Sequence, residues 1–177
     1  MAGVGALASV APPLAQSGMP ETGAARPKVG EMAPDFALKY FDGNNLKDVS
    51  FSQYRGKKNV VVAFYMFAFT GGWTQPMKAP EQDLKGLTDT QVLGVSTRSP
   101  FANQAFADQI GVTSPLLSDW GGEGTHQYGL HVDQYKVARR VNFLNGKDGK
   151  ILEEQVDKDA IDPTKIVDTC ERPKMKS

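Results

Sequence analysis

The chain has 177 residues, with Lys plus Arg and Asp plus Glu balanced at 20 each. That length suits one domain with a core large enough to need no staples, and the balanced charge makes nucleic acid or an acidic membrane surface a poor partner. A single cysteine, Cys170, excludes an intrachain disulfide and a cysteine-rich metal site. With His126 and His131 the only histidines, the composition argues against a catalytic triad or a zinc centre.

Residues 1–27 differ from the rest. "MAGVGALASVAPPLAQSG" is small, weakly apolar and uncharged, and "MPETGAARPK" continues as Pro/Gly/Ala-rich linker material. The stretch is too short, and too broken by Pro12-Pro13, to span a bilayer. It resembles the apolar and cleavage regions of a secretory signal without the basic n-region. Two readings stand: the remnant of an export signal, placing the mature protein in the periplasm, or an inconsequential tail on a cytoplasmic protein.

From residue 28 to 172 the pattern is that of one folded domain, with 173–177 a short tail. "APDFALKYFDGNNLKDVSF" carries two alternating runs around Asp42-Gly43-Asn44-Asn45 and predicts a hairpin. "NVVVAFYMF", residues 59–67, is a nearly unbroken β-branched and aromatic run, as a strand buried on both faces requires. "PEQDLKGL" then reads as helix, "QVLGVST" (91–97) as strand, and "PFANQAFADQIG" as a helix closed by Gly111. "VARRVNFLN" (137–145) predicts one further strand, Lys147-Asp148-Gly149-Lys150 a turn, and "ILEEQV" the strand after it. "PTKIVDTC" opens a last helix at Pro163. Strands alternating with helices predict an α/β fold, a mixed central sheet flanked by helices with an N-terminal β-hairpin added.

Several of these pieces, in this order, resemble the peroxiredoxins, the thioredoxin-fold peroxidases of the alkyl hydroperoxide reductase and thiol-specific antioxidant group. The matching stretches are "VGEMAPDFAL", "SFSQYRGKKNVVVAFY", "FAFTGGWT", "DTQVLGVS", "PLLSDWGG", "YGL" and "ARRVNFLNGKDGKI". The Thr-Gly-Gly step is most similar to a bacterial subgroup in which it is followed by cysteine or selenocysteine. The resemblance implies a thioredoxin-like fold and reduction of hydrogen peroxide or alkyl hydroperoxides. Electrons would come from a thioredoxin- or glutaredoxin-type protein or a small thiol. It implies no metal or organic cofactor, and a homodimer is compatible with it.

In that family a reactive cysteine lies in Pro-x-x-x-Thr-x-x-Cys, after the first long core strand. Laid on this sequence, the threonine is Thr70, the proline position holds Met66, and the cysteine position holds Trp73. The family's arginine falls on Arg140, with Arg139 the competing choice. A thiolate must attack the O–O bond, so an adjacent guanidinium and helix N-terminus that lower the thiol pKa are useful there. Thr70 and the backbone at Gly71 and Gly72 would hold the peroxide oxygens. The product is a sulfenic acid that a second thiol reduces.

Trp73 removes the nucleophile, and stabilisation by Thr70 and Arg140 assists only a nucleophile that is present. The resemblance therefore implies little or no peroxidase turnover for the chain as written. Met66 departs from the family proline; Pro76 and Pro80 disturb the start of the following helix. Three origins for Trp73 stay open. The chain is a diverged, non-catalytic binding or scaffold module; or a selenocysteine codon UGA, one base from UGG, yields tryptophan through expression or decoding; or a cysteine codon has been replaced.

Other residues have two readings each. Thr70 serves the peroxide or caps the turn, and Arg140 serves the site or pairs with a carboxylate from its strand. Cys170 is a second thiol or a small hydrophobe of the last helix. Gly71 and Gly72 give the backbone freedom to turn. His126 and His131 read as surface residues flanking "QYGL", and Trp120 in "SDWGG" as an edge shield.

Overall fold

The structure is a computed structural model that describes residues 24–66, 88–157, 159–161 and 164–171. Its main sheet has seven strands in the order β2-β1-β5-β4-β3-β8-β9. These are β1 (Ala37–Phe41), β2 (Leu46–Ser50), β3 (Asn59–Phe64), β4 (Thr90–Ser96), β5 (Leu116–Ser118), β8 (Val141–Asn145) and β9 (Ile151–Val156). Strands β3, β4 and β5 run parallel, and β1, β2, β8 and β9 join antiparallel on either side. A separate two-stranded ribbon, β6 (His131–Val132) with β7 (Val137–Ala138), stands outside the sheet.

The centre of the sheet follows from the apolar run at 60–64. Val60, Val62 and Phe64 face a core shared with Phe36, Phe51, Tyr128 and Phe143. Val61, on the opposite face, packs with Val92, Leu144 and Ile166. Alternate side chains of a strand point to opposite faces, so a strand covered on both must be apolar throughout. Each such side chain contributes about 1.5–3 kcal/mol by leaving water. Tyr128 anchors this core from the "YGL" motif: its ring lies 4.9 Å from that of Phe64 and 5.3 Å from that of Phe143. Its hydroxyl donates to the Pro34 carbonyl at 2.9 Å. Gly129 beside it has φ +62, and a Cβ there would meet the Ala24 and Arg26 backbone.

Helix α1 (Pro100–Ile110) packs against β1 and β5. Ser99 caps it by accepting from Ala102 N–H at 3.2 Å, Pro100 occupies its first turn, and Gly111 ends it at φ +69. A short helix α2 (Glu123–Gln127) precedes the ribbon, and α3 (Thr164–Glu171) packs on β9. The expected hairpin is present, its turn closed by Asp42 Oδ1 accepting from the Asn44 and Asn45 N–H groups at 2.9 and 2.8 Å.

Three expectations change. The single strand predicted over 137–145 is two, because Val137 and Ala138 pair with the ribbon while Val141 onward pairs with β3. Arg139 and Arg140 make the crossing between them. Strand β3 ends at Phe64, three residues short of the sequence reading. Trp120 is a weak shield: it stands 72 % exposed, lining a groove with Lys39, Pro100 and Ser118. The helix read at "PEQDLKGL" and the opening Pro163 lie outside the described residues.

Candidate active site

In an open α/β sheet, ligands meet the chain beyond the carboxyl ends of the parallel strands. Here that edge is made by the exits of β3, β4 and β5 at Phe64, Ser96 and Ser118. Tyr65 continues the β3 hydrogen bonding by donating its N–H to Val95 at 3.0 Å. Its hydroxyl donates to Asn103 Oδ1 at 2.8 Å, which also accepts from Ser96 Oγ at 2.9 Å. Asn103 Nδ2 in turn donates to the Leu117 carbonyl at 2.9 Å. One fully buried amide thus ties the exits of three strands to α1. Burial pushes the Tyr65 phenol well above its ordinary range, so it stays a neutral donor. Met66, at the position of the family proline, packs against the cluster of Tyr65, Phe106 and Leu116.

Thr70, Gly71, Gly72, Trp73, Pro76 and Pro80 lie outside the described residues. The described chain leads to within four residues of Thr70, at Met66. Arg140 immediately precedes β8, whose first residue Val141 is the partner of Phe64. That register places Arg140 next to the β3 exit. The side chain is half-buried, and burial pulls its pKa below the usual guanidinium range, with Asp157 opposing. A cation with part of its water removed attracts an anion more strongly than one in bulk solvent. Its carbonyl accepts from Asp157 N–H at 3.0 Å, holding the crossing against the end of β9.

Arg139 behaves differently. Its guanidinium donates to both carboxylate oxygens of Asp157, at 3.3 and 2.8 Å, and its N–H bonds the Leu130 carbonyl at 2.8 Å. The direct partner of the Asp157 carboxylate is thus Arg139. Cys170 falls on α3, and its side chain lies outside the described residues.

A second group gathers on the same sheet edge. Asp119 follows β5, and its buried carboxylate accepts from the Gly124 and Thr125 N–H groups at 3.0 and 2.7 Å, fixing the start of α2. Gly122, at φ +76, lies under two imidazoles: a Cβ there would approach His131 Cε1 to 2.9 Å and His126 Nδ1 to 3.2 Å. His126 and His131 stack with centroids 3.9 Å apart and planes 18° from parallel. The surface reading of both histidines is corrected for His131, which is 5 % exposed, because the ribbon folds back over α2. Thr97 Oγ1 donates to the Lys136 carbonyl at 2.8 Å, fastening that ribbon to the end of β4.

Asn103 could have been found in the sequence. It shares the stripe Asn103, Phe106, Ala107, Ile110 that α1 buries, and a lone amide on an apolar helix face needs partners. His131 and Asp133 are two apart, as on one face of a strand, but His126 comes from α2 five residues before His131, so no single period announces the meeting of all three.

The fold is that of a thioredoxin-like α/β domain, and its carboxyl edge is where such a domain carries chemistry. The AhpC/TSA family matches residues 29–154, and the chain belongs to that family, the peroxiredoxins. It is 34 % identical over 127 residues to alkyl hydroperoxide reductase E of Mycobacterium tuberculosis, covering 70 % of this chain and 81 % of that protein. It is 33 % identical over 135 residues to the selenocysteine-containing peroxiredoxin PrxU of Peptoclostridium acidaminophilum, covering 70 % and 64 %. The solved structure of peroxidoxin BcpB from Mycobacterium tuberculosis superposes with a TM-score of 0.71 at 23 % identity, covering 83 % of this chain and 98 % of that one.

Proposed function

We propose that the segment following β3 is a peroxide pocket whose parent activity is thiol- or selenol-dependent reduction of hydrogen peroxide and alkyl hydroperoxides. Trp73 is taken to leave it with little or no turnover. The observation that carries this reading is the register of β8 on β3, which brings Arg140 beside the strand exit. In the parent reaction a thiolate or selenolate at position 73 attacks one peroxide oxygen and the O–O bond breaks. The other oxygen leaves as water or an alcohol once protonated, and the nucleophile becomes a sulfenic or selenenic acid. A thiol of a thioredoxin- or glutaredoxin-type protein, or of a small molecule, then displaces water to form a mixed disulfide or selenosulfide. Thr70 and the Gly71 and Gly72 backbone would align the peroxide, and Arg140 would stabilise both the anionic nucleophile and the charge that builds on the oxygens. Indole supplies no comparable lone pair.

Peroxide consumption measured on this chain beside its Trp73→Cys and Trp73→Sec forms tests the reading. The substitution is expected to raise turnover by about a thousandfold or more, the scale on which removal of a nucleophile costs rate. Substantial activity with Trp73 in place would show the assignment of position 73 wrong. A chain that gains nothing from cysteine and forms a stable oligomer would be the non-catalytic scaffold instead. The codon separates the origins of Trp73, since UGA there would mean a recoded selenocysteine and a native UGG a diverged pocket.

A further inference from the structure

We infer that His126, His131 and Asp133 form a binding site for one borderline divalent transition ion of the zinc type, held by two imidazole Nε2 atoms and one carboxylate oxygen. The ligand atoms these three residues offer lie within 4.8 Å of one another. The Nε2 atoms of His126 and His131 stand 3.9 and 3.7 Å from Asp133 Oδ1. A tetrahedral zinc with bonds of about 2.0–2.1 Å needs its ligand atoms about 3.4 Å apart. The remaining contraction is small, and Asp133, 47 % exposed, can supply it.

The tautomers follow from the partners of the other ring nitrogens. His126 Nδ1 lies 2.6 Å from the Gly122 carbonyl, which can only accept, so Nδ1 carries the proton and Nε2 the lone pair. Thr125 Oγ1 donates its own proton to the same carbonyl at 2.9 Å. Its oxygen therefore accepts from His131 Nδ1, 2.9 Å away, and His131 Nε2 likewise carries the lone pair. Both rings are held by outer oxygen partners, the arrangement that fixes a metal-binding histidine and raises its basicity. Imidazole with carboxylate suits zinc, copper, nickel or iron and not calcium or magnesium.

Two details fix how an ion would enter. The rings are stacked, so their lone pairs run side by side. Convergence requires the His126 ring, 44 % exposed, to tilt out of the stack, while the buried His131 stays. Lys136 Nζ, 76 % exposed, sits 3.5 Å from Asp133 Oδ1, where its ammonium is the cation that an incoming metal displaces. The constellation stands apart from position 73 in its residues and owes nothing to the peroxide reading.

The test is titration of Zn2+ into the full chain near neutral pH by calorimetry, with Co2+ absorption reporting the ligand set. One ion per chain should bind. His126→Gln, at a half-exposed position that circular dichroism can show to be folded, should weaken binding by about tenfold or more. Asp133→Asn should weaken it in the same direction, and Lys136→Ala should leave it equal or tighter. No saturable binding, or unchanged affinity in folded His126→Gln, would overturn the site; the second result would place the ion elsewhere on the chain. Because the readout is binding, a chain that never turns over peroxide still decides the matter.

Discussion

The β3 exit and the turn running from Asp119 to Asp133 sit on the same carboxyl edge of one sheet, yet they were built by different rules. At the β3 exit the frame is a doubly buried strand, an arginine set beside it by the β8 register, and a buried amide tying three strand ends together. On the proposed reading, what the chain lacks for that chemistry is an atom, the sulfur or selenium for which the sequence has Trp73. In the turn stand two imidazoles oriented by Gly122 and Thr125, with the Asp133 carboxylate beside them. No single period joins all three. If both proposals hold, a pocket inherited with a fold keeps its frame without its reacting group, whereas a site made by a local turn exists only through that turn.

The largest effect that separates the two regions concerns the neighbouring arginines. In a Trp73→Cys background, Arg140→Ala is expected to slow peroxide reduction by about a hundredfold, the loss typical of removing one group that stabilises developing charge. Arg139→Ala should change the rate little, because its guanidinium is spent on Asp157, and such a partly exposed pair is worth only about 0–1 kcal/mol. Stopped-flow peroxide kinetics on both variants decides it. Equal losses, or a larger loss at Arg139, would mean that the crossing between the ribbon and β8 presents the other side chain, and the frame of the β3 exit would need redrawing.

Next in size is the frame itself. Asn103→Leu keeps the branching of the side chain but removes the acceptor of the Tyr65 and Ser96 hydroxyls and the side-chain donor to the Leu117 carbonyl, all in the interior. Leaving buried polar groups without partners costs about 1–3 kcal/mol for each, so a loss of about 2–4 kcal/mol is expected in urea unfolding, after local relaxation. The affinity of the histidine turn for Zn2+ should stay as it was. If Asn103→Leu also weakened the ion, the two regions would be one coupled structure, and the contrast drawn between them would fail.

How much of this was legible in the sequence divides along the same line. Val60 to Phe64 announced a doubly buried strand because no polar residue interrupts them, and Asp42 to Asn45 announced a turn because Asx side chains bond their own backbone. The family motifs pointed to Arg140, which the structure places in the crossing just before β8. The sequence could not show that 137–145 breaks at the arginines, since β7 and β8 share one apolar pattern and only their partners, β6 and β3, differ. Nor could it show His131 buried. That burial comes from Gly122 taking a left-handed conformation and from Thr97 holding the ribbon down, two long-range choices that no window around "QYGLHVD" contains.

The smallest effect expected is a pH dependence confined to the turn. Burial lowers the His131 pKa from its ordinary value of 6.5, and His126 lowers it further. Asp133 and Asp119 oppose this, and Lys136 adds weakly to it. The unfolded chain therefore takes up a proton on this ring at a pH where the folded chain still refuses it. Stability from the neutral ring is fully present above pH 6.5, is lost as the pH falls from there toward the lower folded value, and levels off below it. Thermal melts of the chelator-treated protein between neutral and mildly acidic pH should show this decline, and His131→Gln, with nothing to titrate, should flatten it. A decline of the same size in His131→Gln would assign the effect to other groups and would mean that the stacked ring accepts its proton as readily inside the fold as outside it.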